Sequence, residues 1–193
     1  MKRPSVVIDS SVACAWHIPH EKHPVVDDIL SEIENGRILG LAPKLWVFEI
    51  HNVLQKQMRK FRHADDRIDD ALDALMDATI DLRSYLPPLT QSDRTQTVVA
   101  SWVEIDIEEV KSVSSRVLVL VRKYPKISFY DAVYLDLAKQ VEAELACLDG
   151  NLAKAAKEER VPLRIPDSVY DEWCRQKEAF EKRFHAEQGK WTA

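Results

Sequence analysis

An excess of positive charge is missing from this chain. Its 193 residues carry 27 Lys and Arg against 32 Asp and Glu, a formal net charge of −5. That excludes a protein that holds nucleic acid by bulk charge alone. It leaves open an enzyme acting on nucleic acid, because an acidic site loaded with divalent cations becomes locally positive. Long apolar runs are missing too. No stretch approaches the ~20 residues of a membrane span, so no membrane association is expected. The opening MKRPSVVIDSSVACAW sets basic residues before an apolar stretch, but Asp9, Ser10 and Ser11 interrupt it, which argues against a signal peptide. Cysteine is sparse. Cys14, Cys147 and Cys174 are odd in number, far apart and form no C-x-x-C pair, so no disulfide framework is expected and a reducing cytoplasm is the expected location. There is no P-loop, G-x-G-x-x-G, G-x-S-x-G or H-E-x-x-H, and the nucleotide-binding and hydrolase classes built on them lose support. No internal repeat or low-complexity segment stands out.

What the chain does have is 46% hydrophobic and 31% charged residues, enough apolar content for one α/β domain with a modest appendage. Ser5–Asp9 reads as a buried strand, short, β-branched and continuous rather than alternating. A helix is expected from Pro24 to Asn35-Gly36, a first-turn proline and a C-cap glycine. Ile38–Leu41 reads as a second strand, and Leu45 to about Arg62 as a helix with Trp46, Ile50, Val53, Leu54 and Phe61 on one face. Ala64 to about Arg83 is amphipathic, with Ile68, Leu72 and Leu75 opposite Asp66, Asp70 and Asp73. Residues 86–101 read as a long connection or insertion. Val103–Ile105 is a strand candidate, followed by a helix opened by Asp106 and Glu109 and closed at Tyr124-Pro125. Ser128 caps the next helix, to about Gln140. Leu145–Leu148 is a strand, Asn151–Glu159 a helix, Val161–Ile165 an edge strand where Pro162 is tolerated, and residues 167–187 a charged helix that extends the domain. Alternation of strand and helix predicts a mostly parallel sheet covered on both faces.

Four acids are placed to meet. Asp9 and Asp149 each end a strand, where side chains of an open α/β sheet reach the ligand crevice. Asp131 lies in a first helical turn, and Glu49 one turn into a helix. Such convergence is repulsive without cations. Mg²⁺ and Mn²⁺ take oxygen ligands, so the cluster makes sense as a metal site. Two ions roughly 3.5–4 Å apart could activate a water and stabilise the leaving oxygen of a phosphodiester. The plainer account of Asp131 is an acid favoured by the helix dipole, and of Glu49 a solvated helix face.

Four strings occur in order: VIDSSVACAW, LAPKLWVFEIHNVL, ISFYDAVYLDLA and CLDGNLAKAA. Together they resemble the PIN-domain ribonucleases, specifically toxins of the VapC type, over residues 5–165. The E-x-x-N-x-L string at Glu49, Asn52 and Leu54, and YDA-x-Y-L-x-L-A from Tyr130 to Ala138, carry much of the likeness. The resemblance implies a three-layer α/β/α PIN-like domain, taken as residues 1–166; residues 86–101 and the helical extension 167–193 make the chain longer than a typical member. It also implies Mg²⁺ or Mn²⁺ dependence and endonucleolytic cleavage of RNA. Its acids fall on Asp9, Glu49, Asp131 and Asp149, and its accessory positions on Ser11 and Asn52. Ser11 is expected to orient Asp9 or a water; a turn-stabilising hydroxyl is the equal alternative. The resemblance also implies a cognate antitoxin that covers the acidic crevice with a basic side chain, and a homodimer. One departure is Cys147, where many relatives carry a hydroxyl two residues before the last acid. A thiol is a poor hydrogen-bond donor and a weak ligand for hard ions.

Other features have plainer readings. His17, His20 and His23 suit a solvated loop better than zinc, since Pro19 and Pro24 break the helix and no cysteine is near. Lys56, Arg59, Lys60 and Arg62, with Arg122, Lys123 and Lys126, could contact phosphates or simply complement helix ends. Two rival functions remain. One is a phosphatase with Asp9 as nucleophile, weakened because Ser11 stands where a second acid is expected. The other is a degenerate nuclease fold kept as a binding module, which only Cys147 encourages.

Overall fold

A computed structural model describes residues 3–18, 20–43, 45, 46, 48–50, 52, 53, 56 and 107–191. The run of Val6, Val7 and Ile8 has no polar residue to face water, and it forms the middle of the sheet. Strand β1 (Ser5–Ile8) pairs in parallel with β2 (Leu39–Leu41) on one side and β3 (Glu144–Ala146) on the other, in the order β2–β1–β3. Val7 stands opposite Leu41 and Leu145, and Ile8 opposite Ala146. Parallel strands require crossovers: α1 (Ser10–His17) and α2 (Pro24–Glu34) lie between β1 and β2, α3 (Ile107–Lys123) and α4 (Phe129–Val141) between β2 and β3, and α5 (Gly150–Glu158) and α6 (Asp167–Trp191) follow β3. The architecture is a three-layer α/β/α fold with a parallel sheet, as expected.

Local chemistry explains most boundaries. Helix α2 opens with Pro24 and stops at Asn35, and Gly36 takes φ +64°, a left-handed conformation in which a side chain would be strained. Helix α4 opens with a capping box in which Ser128 and Asp131 exchange backbone and side-chain bonds. Residues 46, 48–50, 52, 53 and 56 are helical. The expected stretches Ala64–Arg83, 86–101 and Val103–Ile105, and the Asp106 cap, lie outside the described residues.

Three readings of the sequence change. Asp9 does not complete β1. It caps α1, a helix absent from the expected elements, in which Ser10 and Ser11 stood as an interruption of the apolar stretch. The edge strand Val161–Ile165 contracts to one parallel bridge, Leu145 to Leu163, flanked by Pro162, which has no N–H to donate. His20 and His23 do not lie in a solvated loop. His23 is buried and accepts from the Val25 N–H as the cap of α2, while His20 stacks on Phe180 of α6 at 4.1 Å.

That contact shows what α6 does. It lies against the α1–α2 connection, where Trp173 Nε1 donates to the Glu21 carbonyl at 3.0 Å. Lys177 Nζ sits 2.8 Å from the buried Glu21 carboxylate and over the Trp173 ring. At its start, α6 brings the Tyr170 hydroxyl so near Gly150 that a Cβ there would lie 2.5 Å from it.

Helices α3 and α4 are joined by a forked ion pair. Arg116 Nε donates to Asp136 Oδ1 and its terminal nitrogen to Oδ2, both at 3.0 Å. Asp136 is buried, whereas the Arg116 side chain is 39% exposed. Losing one partner of a fully buried pair costs 3–5 kcal/mol and of an exposed pair at most about 1. We therefore expect Arg116→Ala to destabilise the fold by about 1–3 kcal/mol, seen as a lower urea midpoint at unchanged slope. An unchanged midpoint would show that Asp136 is satisfied without Arg116.

Candidate metal centre

The site grows from the way β1 and β3 end. The Asp9 N–H still pairs with the Ala146 carbonyl at 3.0 Å, extending the ladder by one bond. The chain then turns into α1, and the Asp9 carboxylate accepts from the Ser11 N–H at 3.1 Å and from the Ser11 hydroxyl. That hydroxyl in turn accepts from the Leu148 N–H at 2.9 Å. Ser11 therefore ties the end of β1 to the segment leaving β3, beyond the local turn that was its plainer reading.

Asp131 and Asp149 are also helix-end residues, and Glu49 lies within a helix. Asp149 caps α5 through Oδ1, accepting from Leu152 N–H at 2.8 Å. Asp131 accepts from Ser128 N–H through Oδ2 at 2.7 Å. Glu49 accepts from the Tyr134 hydroxyl through Oε2 at 2.6 Å. Among the described residues, Asp9, Asp131 and Asp149 thus each use one carboxylate oxygen on a cap and leave the second with no protein donor. Asn52 is exposed on its helix.

The carboxylates feel one another. Burial pushes Asp9 from 3.8 up to about 7; hydrogen bonds from Ser11 pull it down, and the charges of Glu49 and Asp131 add to the rise. Glu49 is raised by burial and by Asp131, against hydrogen bonds from Tyr134 and Ser10. Asp131 is raised by burial, against the bonds from Ser128, and by the charge of Asp149. The four acids form one electrostatic group, Asp9 being the deepest. Among the described residues, however, no three His, Cys, Asp or Glu side chains are arranged to hold a metal ion. Like charges without a counter-ion are expected to stand apart.

Cys147 lies at the floor. Its thiol is buried, 3.9 Å from the Asp149 carbonyl, and burial with the charge of Asp9 holds it protonated. It supplies neither a strong donor nor a hard ligand.

Sequence reasoning missed Tyr134, which holds Glu49. The signal was available, since Asp131 and Tyr134 are three apart on α4 and share a face. It also missed the buried Ser10 beside them.

No family model matches the chain, and no curated protein matches it. Among solved structures, the crystal structure of PAE2754 from Pyrobaculum aerophilum is similar, with TM-score 0.51 and 17% identity over 90% of this chain and 99% of that one. At that identity the likeness speaks to the fold alone, and it agrees with the α/β architecture.

The raised Asp9 makes a pH prediction for the metal-free protein. A carboxyl that ionises near 7 when folded and near 3.8 when unfolded binds its proton more tightly in the fold. Its contribution to stability is complete below about pH 4 and is lost as pH rises through 7. Asp9→Asn keeps an oxygen to accept from Ser11 and removes the titration. Its melting temperature relative to wild type should therefore climb between pH 4 and pH 8, and a constant difference across that range would contradict the burial of this carboxylate.

Proposed function

We propose that the protein is a metal-dependent endoribonuclease of the PIN-domain, VapC type. The observation that supports this most is the set of acids gathered where β1 and β3 end: the charges of Glu49 and Asp131 raise Asp9, Asp131 raises Glu49, Asp149 raises Asp131, and Asp9, Asp131 and Asp149 keep an oxygen open.

The donor set is all carboxylate, which suits a hard ion such as Mg²⁺ or Mn²⁺. Asp9, Asp131 and Asp149 would hold it through the open oxygens, with Glu49 beside them. Once bound, such an ion acts as a Lewis acid that lowers the pKa of water and neutralises charge on a phosphodiester. The rest is the work of this chain. Ser11 fixes the Asp9 rotamer, Tyr134 fixes Glu49, and the α4 and α5 caps fix Asp131 and Asp149. Preorganised ligands of this kind do not have to be reoriented as charge develops. Cys147 occupies the position of a missing hydroxyl, so this reading gives it no part in proton transfer.

The biological reading is the toxin of a toxin–antitoxin pair, acting on RNA in the cytoplasm as a homodimer. Its antitoxin would place a basic side chain among the acids, replacing the cation's charge. A second reading, a nuclease fold kept as a binding module, is favoured by one observation: no three ligating side chains converge among the described residues.

Cleavage of a mixed RNA pool in Mn²⁺ separates the two. We expect cut ends with wild type and a loss of about 100-fold or more with Asp9→Asn, since each tenfold is 1.36 kcal/mol and the metal supplies several. Activity that survives Asp9→Asn would remove the nuclease assignment. Absence of Mn²⁺ binding by calorimetry would favour the module.

A further inference from the structure

We infer that a single-stranded polynucleotide reaches the acidic cluster along one path, with its phosphates in a lysine-lined cleft between the α3–α4 turn and α5 and its bases on the exposed Phe129–Tyr130 pair. This deepens the nuclease reading and rests on it for the identity of the cluster.

The cleft has a volume of about 240 Å³ and is lined by Lys123, Tyr124 and Lys126 on one wall and Asn151, Lys154 and Glu158 on the other. Both walls lead to the acids. Lys126 lies five residues before Asp131, and Asn151 and Lys154 lie two and five residues after Asp149. At 1.5 Å per residue, Lys154 stands about 7.5 Å along α5 from Asp149.

The charges in the cleft are not equivalent. Lys123 is committed to Glu159, which also receives Lys139 and the Tyr124 hydroxyl. Lys126 and Lys154 are exposed and have no ion pair among the described residues. Glu158 sits at the end of α5 farther from Asp149. The free positive charge is therefore concentrated on the side nearer the acids. Ammonium groups held this way bind phosphate as point charges, without reading sequence.

The rim supplies the second observation. Phe129 is 42% exposed and Tyr130 54% exposed, and their rings meet edge to face at 6.4 Å in the first turn of α4, immediately before Asp131. Large rings left in water beside a charged cluster are stacking surfaces for unpaired bases. A duplex keeps its base faces stacked inside, so the pair favours a strand whose bases are free.

The test is anisotropy of a 5′-labelled 20-nucleotide RNA of mixed sequence, titrated in EDTA with the full chain, so that binding is read apart from cleavage. The unpaired oligomer should bind more tightly than the same sequence as a duplex. Removing both free lysines, Lys126→Ala with Lys154→Ala, should reduce the slope of log affinity against log salt by about 1.4, two contacts at about 0.7 each for a single strand. Phe129→Ala with Tyr130→Ala should weaken binding about 5-fold or more at an unchanged slope. Lys182→Ala, on the far part of α6, should change neither. Circular dichroism confirms that each variant is folded. Unchanged affinity and slope in the lysine pair, or equal binding of the duplex, overturns the path even if the protein cleaves RNA. A poly-glutamate peptide whose binding needs the two lysines, while RNA binding does not, overturns it in favour of a protein partner. The expected binding without Mn²⁺-dependent cleavage in wild type upholds the path and removes the nuclease reading instead.

Discussion

Asp9 has to satisfy two demands that pull in opposite directions. As the residue that leaves the middle strand, it is buried, and burial favours a neutral group. As the cap of α1, accepting from the Ser11 N–H, it is placed to be charged. The Ser11 hydroxyl reconciles the two. It stabilises the Asp9 charge and at the same time accepts from the Leu148 N–H, so the carboxylate that opposes burial is bonded into the joint between β1 and β3. The rest of the site follows from that joint. Asp149 leaves the same strand pair one residue beyond Leu148, and its position is set by how firmly the two strand ends are held.

Much of the fold was legible because backbone demands leave residue-specific marks. Val6, Val7 and Ile8 have no polar residue to turn outward, so a central strand follows. Pro24 and Asn35-Gly36 bound a helix by what proline and a left-handed glycine permit. Ser128 and Asp131 announce a capping box. The parts that were not legible depend on tertiary contact. Ser10 and Ser11 are turn formers by local preference, and they enter a helix because Asp9 caps it and Leu148 takes the Ser11 oxygen. The histidines at 20 and 23 are polar residues in a proline-broken loop, which reads as solvated until a helix about 150 residues away covers it.

The candidate site divides in the same way. Positions of the acids could be read from strand ends and helix starts, and the ordered strings raised them to a named expectation. Their supports could not be read so directly. Tyr134 reaches Glu49 across 85 residues of sequence, and Ser11 reaches Leu148 across 137. Cys147 was visible as an oddity from the start. Its surroundings explain why a thiol is tolerated: the position is closed to water, and the strand joint is already held by Ser11.

Helix α6 covers the α1–α2 connection and lies against Gly150. The bond from Trp173 to Glu21 spans 152 residues. During synthesis, the α1–α2 connection emerges long before the segment that covers it, and Gly150 meets Tyr170 only after twenty further residues. The loop-closure entropy of so distant a contact must be overcome before the contact can stabilise anything. The α1–α2 connection therefore gains its cover late in the life of the nascent chain: Glu21 is made long before Trp173 arrives to bind it.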